Sequence, residues 1–107
     1  MILPLSKIIP TINSASKVSD ARHAVVFNLI DIDASAKGSY EVSLEYADNI
    51  NMSSATQCAT IKNEMTKSGR STIQLSGIIP AGKYYRIRSV VDAALICSVR
   101  NSHQIIL

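Results

Sequence analysis

The sequence predicts an all-β protein, a single antiparallel β-sandwich, and three observations predict it. Short segments alternate apolar and polar residues with the period of two that a half-buried strand requires. Glycine- and proline-bearing corners separate those segments, most clearly in Gly77-Ile78-Ile79-Pro80-Ala81-Gly82. The chain has 107 residues, 47% of them hydrophobic and 18% charged. That suffices for one core and is too little for two. We divide it into an N-terminal arm and loop, residues 1–20, and a sandwich domain, residues 21–107.

The first ten residues, MILPLSKIIP, are apolar and carry two prolines. They have no basic leader and no small-residue cleavage pattern, so they do not read as a signal peptide. They read as an extended arm whose Ile2, Leu3, Leu5, Ile8 and Ile9 dock on an apolar surface, the chain's own or a neighbour's. Residues 11–20 are small, polar and turn-prone, hence a loop. The run from Arg22 to Ile32 is apolar on both faces, with Val25, Phe27 and Leu29 on one and Ala24, Val26, Ile30 and Ile32 on the other. Such a strand belongs in the middle of a sandwich or under a partner. After a turn at residues 33–39 comes the cleanest alternation. Tyr40, Val42, Leu44 and Tyr46 share one face, and Glu41, Ser43 and Glu45 the other. Residues 22–47 are therefore expected to form a hairpin.

Residues 48–54 form a loop. Residues 55–67 carry two competing signals. Ser54 with Gln57 has capping-box spacing, and Cys58, Ile61 and Met65 would share a helical face before Gly69. Thr56, Cys58, Thr60 and Ile61 are poor helix formers, and we read a strand. Residues 63–70 are expected to be a polar connection. Ile73 and Leu75 then share a face leading into the corner, where Gly77 and Gly82 can supply positive φ. Beyond it Tyr85, Ile87 and Val91 fall on one face, and Tyr84, Arg86 and Arg88 on the other. Residues 93–100 form a further strand, residues 101–103 a turn, and Ile105, Ile106 and Leu107 a closing apolar run.

Little in this chain suggests chemistry. His23 and His103 have no metal-binding spacing with each other or with carboxylates. Asp31 and Asp33 share one side of a strand end, but calcium needs six or more oxygens, so a solvated strand end is expected. Glu41 and Glu45 are too far apart along a strand for paired-carboxylate chemistry and read as an exposed sheet face. No nucleophile elbow, phosphate loop or dinucleotide fingerprint occurs. We therefore expect no enzyme, no cofactor, no metal and no small-molecule substrate. No apolar run is long enough to cross a membrane as a helix. Cys58 and Cys97 suit buried thiols in a reducing compartment, with the possibility that they meet left open.

Charge is uneven: residues 1–53 sum to −2 and residues 54–107 to +5. Tyr84, Arg86 and Arg88 form a small patch that would suit a partner surface. The alternative for those arginines is pairing with Glu41 and Glu45. A net charge of +3 is small for a nucleic-acid-binding domain, which ranks that reading last.

The corner Gly77-Ile78-Ile79-Pro80-Ala81-Gly82-Lys83-Tyr84-Tyr85-Arg86-Ile87-Arg88, with the closing Gln104-Ile105-Ile106-Leu107, resembles small β-sandwich virion proteins of tailed bacteriophages. The segment Gly38-Ser39-Tyr40-Glu41-Val42 is similar in texture. The resemblance covers about half of the chain. It implies a jelly-roll-like head decoration (cement) protein, on the capsid surface of a virion assembled in the bacterial cytoplasm. Its implied partners are the major capsid protein and copies of itself, as a dimer or trimer. A tail or fibre module that binds a host receptor or glycan is the neighbouring alternative, and a small nucleic-acid-binding domain the third. The candidate contact residues are the five arm aliphatics together with Tyr84, Arg86, Arg88, Ile105, Ile106 and Leu107.

Overall fold

A computed structural model describes residues 15–107. Seven strands run in chain order: β1 (Ser16–Lys17), β2 (Ala24–Ala34), β3 (Gly38–Ala47), β4 (Thr56–Met65), β5 (Gly69–Ile79), β6 (Tyr84–Val91) and β7 (Leu95–Ile106). They form two antiparallel sheets, a four-stranded one of order β1-β6-β3-β4 and a three-stranded one of order β5-β2-β7. The sheets pack face to face as a β-sandwich. The expected arm, with Ile2, Leu3, Leu5, Ile8 and Ile9, lies outside the described residues.

The core forms where the alternation predicts. Val26, Ile30 and Ile32 of β2 are fully buried, as are Val42 and Leu44 of β3, Ile79 of β5 and Ile87 of β6. β6 alternates without exception, with Tyr85, Ile87, Ser89 and Val91 inward. β2 is the central strand of its sheet, flanked by β5 and β7, which is the first of the two places expected for a run apolar on both faces. Residues 56–65 are strand, so the capping spacing at Ser54 is overridden by pairing with β3.

Four expectations need correcting. Residues 22–47 are not a hairpin: β2 and β3 lie in different sheets, and the chain crosses the sandwich between them. Two alternating strands with a short connection look alike in sequence whether they pair or face each other across a core. The loop at 11–20 contains β1, which pairs Ser16 with Tyr85 and Lys17 with Tyr84. The connection at 63–70 shrinks to residues 66–68, because strand pairing carries polar residues as readily as apolar ones on a solvated edge. Residues 101–103 are not a turn. β7 runs through them, and its pairing with β2 shifts by one residue, so that Asn101 faces Leu29 while Val99 faces Ile30. Arg100 is the extra residue of a β-bulge, and a polar Asn-Ser-His triplet inside a strand mimics turn chemistry.

The β5–β6 corner works as its residues suggest, with one reassignment. Gly82 has φ +77°, and its N–H donates to the Ser19 carbonyl at 2.8 Å. Around it the Val18 N–H reaches the Lys83 carbonyl at 3.0 Å, and the Ala81 N–H reaches His23 Nδ1 at 2.9 Å. The corner is thus held by the segment leading into β2. Gly77 sits inside β5, paired with Val26, and its φ is not positive. Its use is closeness. A Cβ there would lie 3.0 Å from Cys58 Sγ and 3.3 Å from Leu44 Cδ2, both in the opposite sheet. A second bulge, in β4, makes this contact, since Leu44 pairs with Ala59 and Glu45 with Gln57, leaving Cys58 as the extra residue.

One buried polar residue interrupts the apolar inner row of β2. Asn28 is 1% exposed, donates from Nδ2 to the Leu75 carbonyl at 3.1 Å and accepts the Ser102 hydroxyl at 2.7 Å. It ties β2 to both neighbours next to the β7 bulge, where the ladder is weakest.

Gly77→Val is expected to destabilise the fold by about 1–3 kcal/mol through overpacking between the sheets. Equilibrium urea unfolding measures it, and an unchanged midpoint would contradict the close approach described.

Candidate functional site

The two outer faces of the sandwich differ in kind. On the four-stranded sheet, register brings opposite charges together. Glu45 pairs with Arg86 across β3–β6, and Ser43 with Arg88. Arg86 Nε donates to Glu45 Oε1 at 2.7 Å, and Arg88 stands 3.9 Å from the other carboxylate oxygen. Glu45 is only 3% exposed, so the expectation of a solvated acidic face fails at this residue. Arginine side chains lie over it. Glu41 stands 4.0 Å from Lys62, and Ser43 shares hydrogen bonds with Thr60 and Gln57. Tyr84 is half-buried, with the Lys17 ammonium 5.7 Å from its ring centre. Lys83 pairs with Asp48.

On the three-stranded sheet the outer face is built in rows. β2 supplies the middle residue of each, β5 and β7 the flanks. Val25 stands between Ile78 and Ile105, Phe27 between Ser76 and His103, and Leu29 between Gln74 and Asn101. Ile78 is 57% exposed, Ile105 51% and Leu29 36%. The His103 ring stacks on Phe27 at 5.3 Å between centroids. Phe27, Leu29, Gln74, Asn101 and His103 line a shallow concavity of about 160 Å³ beside the bulge.

Further along, the same face becomes ionic. Asp31 accepts from the Thr72 hydroxyl at 2.7 Å and from Arg100 at 3.0 Å, and Asp33 accepts from Arg70 at 2.7 Å. Because the bulge repeats an outward position, Arg100 and Asn101 both lie on this side. Asp31 is 7% exposed, so the expectation of a solvated strand end fails there, while the Asp33 side chain stays 40% exposed. Arg100 and the Thr72 hydroxyl bond its two oxygens, and Arg70 stands 4.0 Å away. The Thr72 hydrogen bond, with Arg100 and Arg70 beside it, holds the Asp31 carboxyl below the usual carboxylate range.

Cys58 and Cys97 are both free and lie in opposite sheets. Burial pushes the Cys97 thiol up to about 11, with the Ser89 hydroxyl opposing in part, and burial also raises Cys58. Neither is poised as a nucleophile at neutral pH.

The proposed contact residues therefore do not form one surface. Tyr84, Arg86 and Arg88 lie on the outer face of one sheet and Ile105 on that of the other. Ile106 faces inward at the sheet end, opposite Ala24, yet is 46% exposed. Leu107 follows it, its N–H donating to the His23 carbonyl at 2.9 Å. Missing from the expectation were Ile78, Val25, Phe27 and Leu29. The doubly apolar run of β2 was their signal, but only register shows that Ile78 and Ile105 flank it.

Two tests follow from this geometry. Arg86→Glu is expected to lower stability by about 3 kcal/mol or more, since it leaves Glu45 buried beside a like charge. Full stability in urea unfolding would mean that Arg86 is free to serve a partner. For Asp31, the unfolded chain takes up its proton near the ordinary value of about 3.9, before the folded chain does. Its stabilisation is thus complete above that pH and is lost as pH falls through the lower folded value. Unfolding curves from neutral to acid pH should fall less steeply for Asp31→Asn than for the unaltered chain. Parallel curves would remove Asp31 from the acid response.

Compared with known proteins, the chain matches no family model, no curated protein and no solved structure.

Proposed function

We propose that this chain is a structural virion protein that decorates a phage capsid and stabilises it by bridging shell subunits. The observation that carries the reading is the apolar half of the three-stranded sheet's outer face. There Ile78, Ile105 and Leu29 stand exposed around Val25 and Phe27. An exposed aliphatic sheet face rimmed by polar groups is the pattern of a protein–protein contact. Its ionic half is internally neutralised, with Asp31 and Asp33 matched by Arg70 and Arg100. Such a face meets another protein without burying an uncompensated charge. The resemblance of the corner and closing strand to phage virion proteins supplies the setting, a capsid surface, with the major capsid protein as the partner. Weak contacts repeated over a symmetric shell sum by multivalency.

A second reading, a tail or fibre module that binds a host glycan, draws on the concavity at Phe27, Gln74, Asn101 and His103. An apolar floor with amide side chains at its rim suits a sugar ring. Nucleic-acid binding remains the third, and the engagement of Arg86, Arg70 and Arg100 by carboxylates weighs against it.

Quantitative mass spectrometry of purified particles from the source tests the proposal. One copy per shell subunit, or a simple fraction of that, is expected. A few copies per hundred shell subunits would point to the tail, and absence from particles would overturn the virion reading. Ile78→Lys with Ile105→Lys should abolish loading onto heads while leaving the circular dichroism spectrum unchanged.

A further inference from the structure

The edges of the two sheets are protected unequally. An edge strand presents unpaired N–H and C=O groups, and proteins blunt it with charges, prolines, bulges or brevity. β4, an edge of the four-stranded sheet, carries Lys62 and Glu64 at exposed positions. β5 opens on Gly69-Arg70 and is stopped by Pro80. β7 is the longest strand, with twelve residues, and among the described residues no strand pairs with it on the side away from β2. Its bulge and its one arginine or lysine, Arg100, come before its last six residues. From Asn101 to Ile106 every residue is exposed and none is Lys, Arg, Asp, Glu or Pro. Among the described residues, the longest edge is the one left without a guard.

We propose that this half of β7 pairs with the same half of a second copy, antiparallel across a two-fold axis, so that two three-stranded sheets become one of six strands. An antiparallel edge is complementary to itself under a two-fold. The axis position follows from two constraints. Side chains that face each other across a ladder must lie on the same side of the sheet, so partners differ by an even number of residues. The bulge at Arg100 limits the regular stretch to residues 101–107. An axis at Gln104 uses that whole stretch. It sets Gln104 against the partner's Gln104, His103 against the partner's Ile105, Ser102 against the partner's Ile106, and Asn101 against the partner's Leu107.

This register places no like charges opposite each other. It also fits the hydrogen-bond inventory. Gln104 Nε2 already donates to the Tyr85 hydroxyl at 2.9 Å. Its second N–H and its carbonyl oxygen remain for the amide across the axis. On the outer face, the row of Ile78, Val25 and Ile105 continues into the partner's His103 and Phe27, so pairing doubles the apolar surface. Seven residues per copy make a small interface, below the area of a stable permanent dimer, so association is concentration-dependent. The inference stands apart from the virion reading, because it concerns the free chain.

Sedimentation velocity over a concentration series of the full chain tests it, together with amide hydrogen exchange on the same samples. A monomer–dimer equilibrium is expected, with concentration-dependent protection confined to residues 101–107. Gln104→Lys and Gln104→Glu each set like charges on the axis and should each weaken the dimer by about tenfold or more. Mixed in equal amounts, the two variants should recover it as a heterodimer. A chain that stays monomeric at several hundred micromolar would overturn the proposal. So would dimers that both variants retain, failure of the mixture to recover them, or concentration-dependent protection elsewhere. The exchange measurement on the unaltered chain decides the matter if a variant fails to fold.

Discussion

The close approach of the two sheets at Gly77 is the constraint on which the rest of the sandwich depends. With no side chain there, Cys58 and Leu44 of the opposite sheet come within van der Waals reach of the β5 backbone. That closeness lets Val26, Ile30 and Ile32 of β2 share one core with Val42, Leu44 and Ile87. The bulge in β4 that aims Cys58 at this point is part of the same device. An extra residue in one strand fills the space that a missing side chain leaves in another.

Crossing from sheet to sheet has its own supports. The chain changes sheets between β1 and β2, β2 and β3, β4 and β5, β5 and β6, and β6 and β7. Each crossing leaves backbone groups that need partners. At the start of β3, Asp92 accepts both the N–H and the hydroxyl of Ser39, at 2.7 and 3.1 Å. At the β5–β6 corner Ser19, Val18 and His23 play the corresponding part. Residues that read as loop filler are thus ties between sheets.

Charge on this protein is arranged to cancel locally. Glu45 is covered by Arg86 and Arg88, and Asp31 and Asp33 by Arg100 and Arg70. The imbalance between the two halves of the chain therefore does not become one acidic and one basic side. Interleaved strands bring the acidic β2 and β3 beside the basic β5, β6 and β7. Cancelling these charges leaves the aliphatic rows as the distinctive feature of the surface.

The sequence by itself determined the strand class, most strand positions, the apolar inner faces of β3, β5 and β6 and the corner at Pro80. Period-two alternation and turn residues are local properties, and they survive without knowledge of neighbours. It also marked β2 as apolar on both faces, which left open a central strand or one under a partner, and only the strand order shows it to be central. The tertiary structure alone decided which strands pair, and with it the site. Whether β2 and β3 are partners in one sheet or opposed across the core, the pattern reads the same. The polar triplet 101–103 resembles a turn until the bulge and Asn28 show it to be strand. Whether Arg86 met a partner or one of Glu41 and Glu45 stayed open, because Glu45, which it bonds, lies 41 residues away in sequence. Ile78 and Ile105 likewise become neighbours of Val25 only through register. Pairing is a long-range choice made by the summed packing of the core, and no single segment contains it.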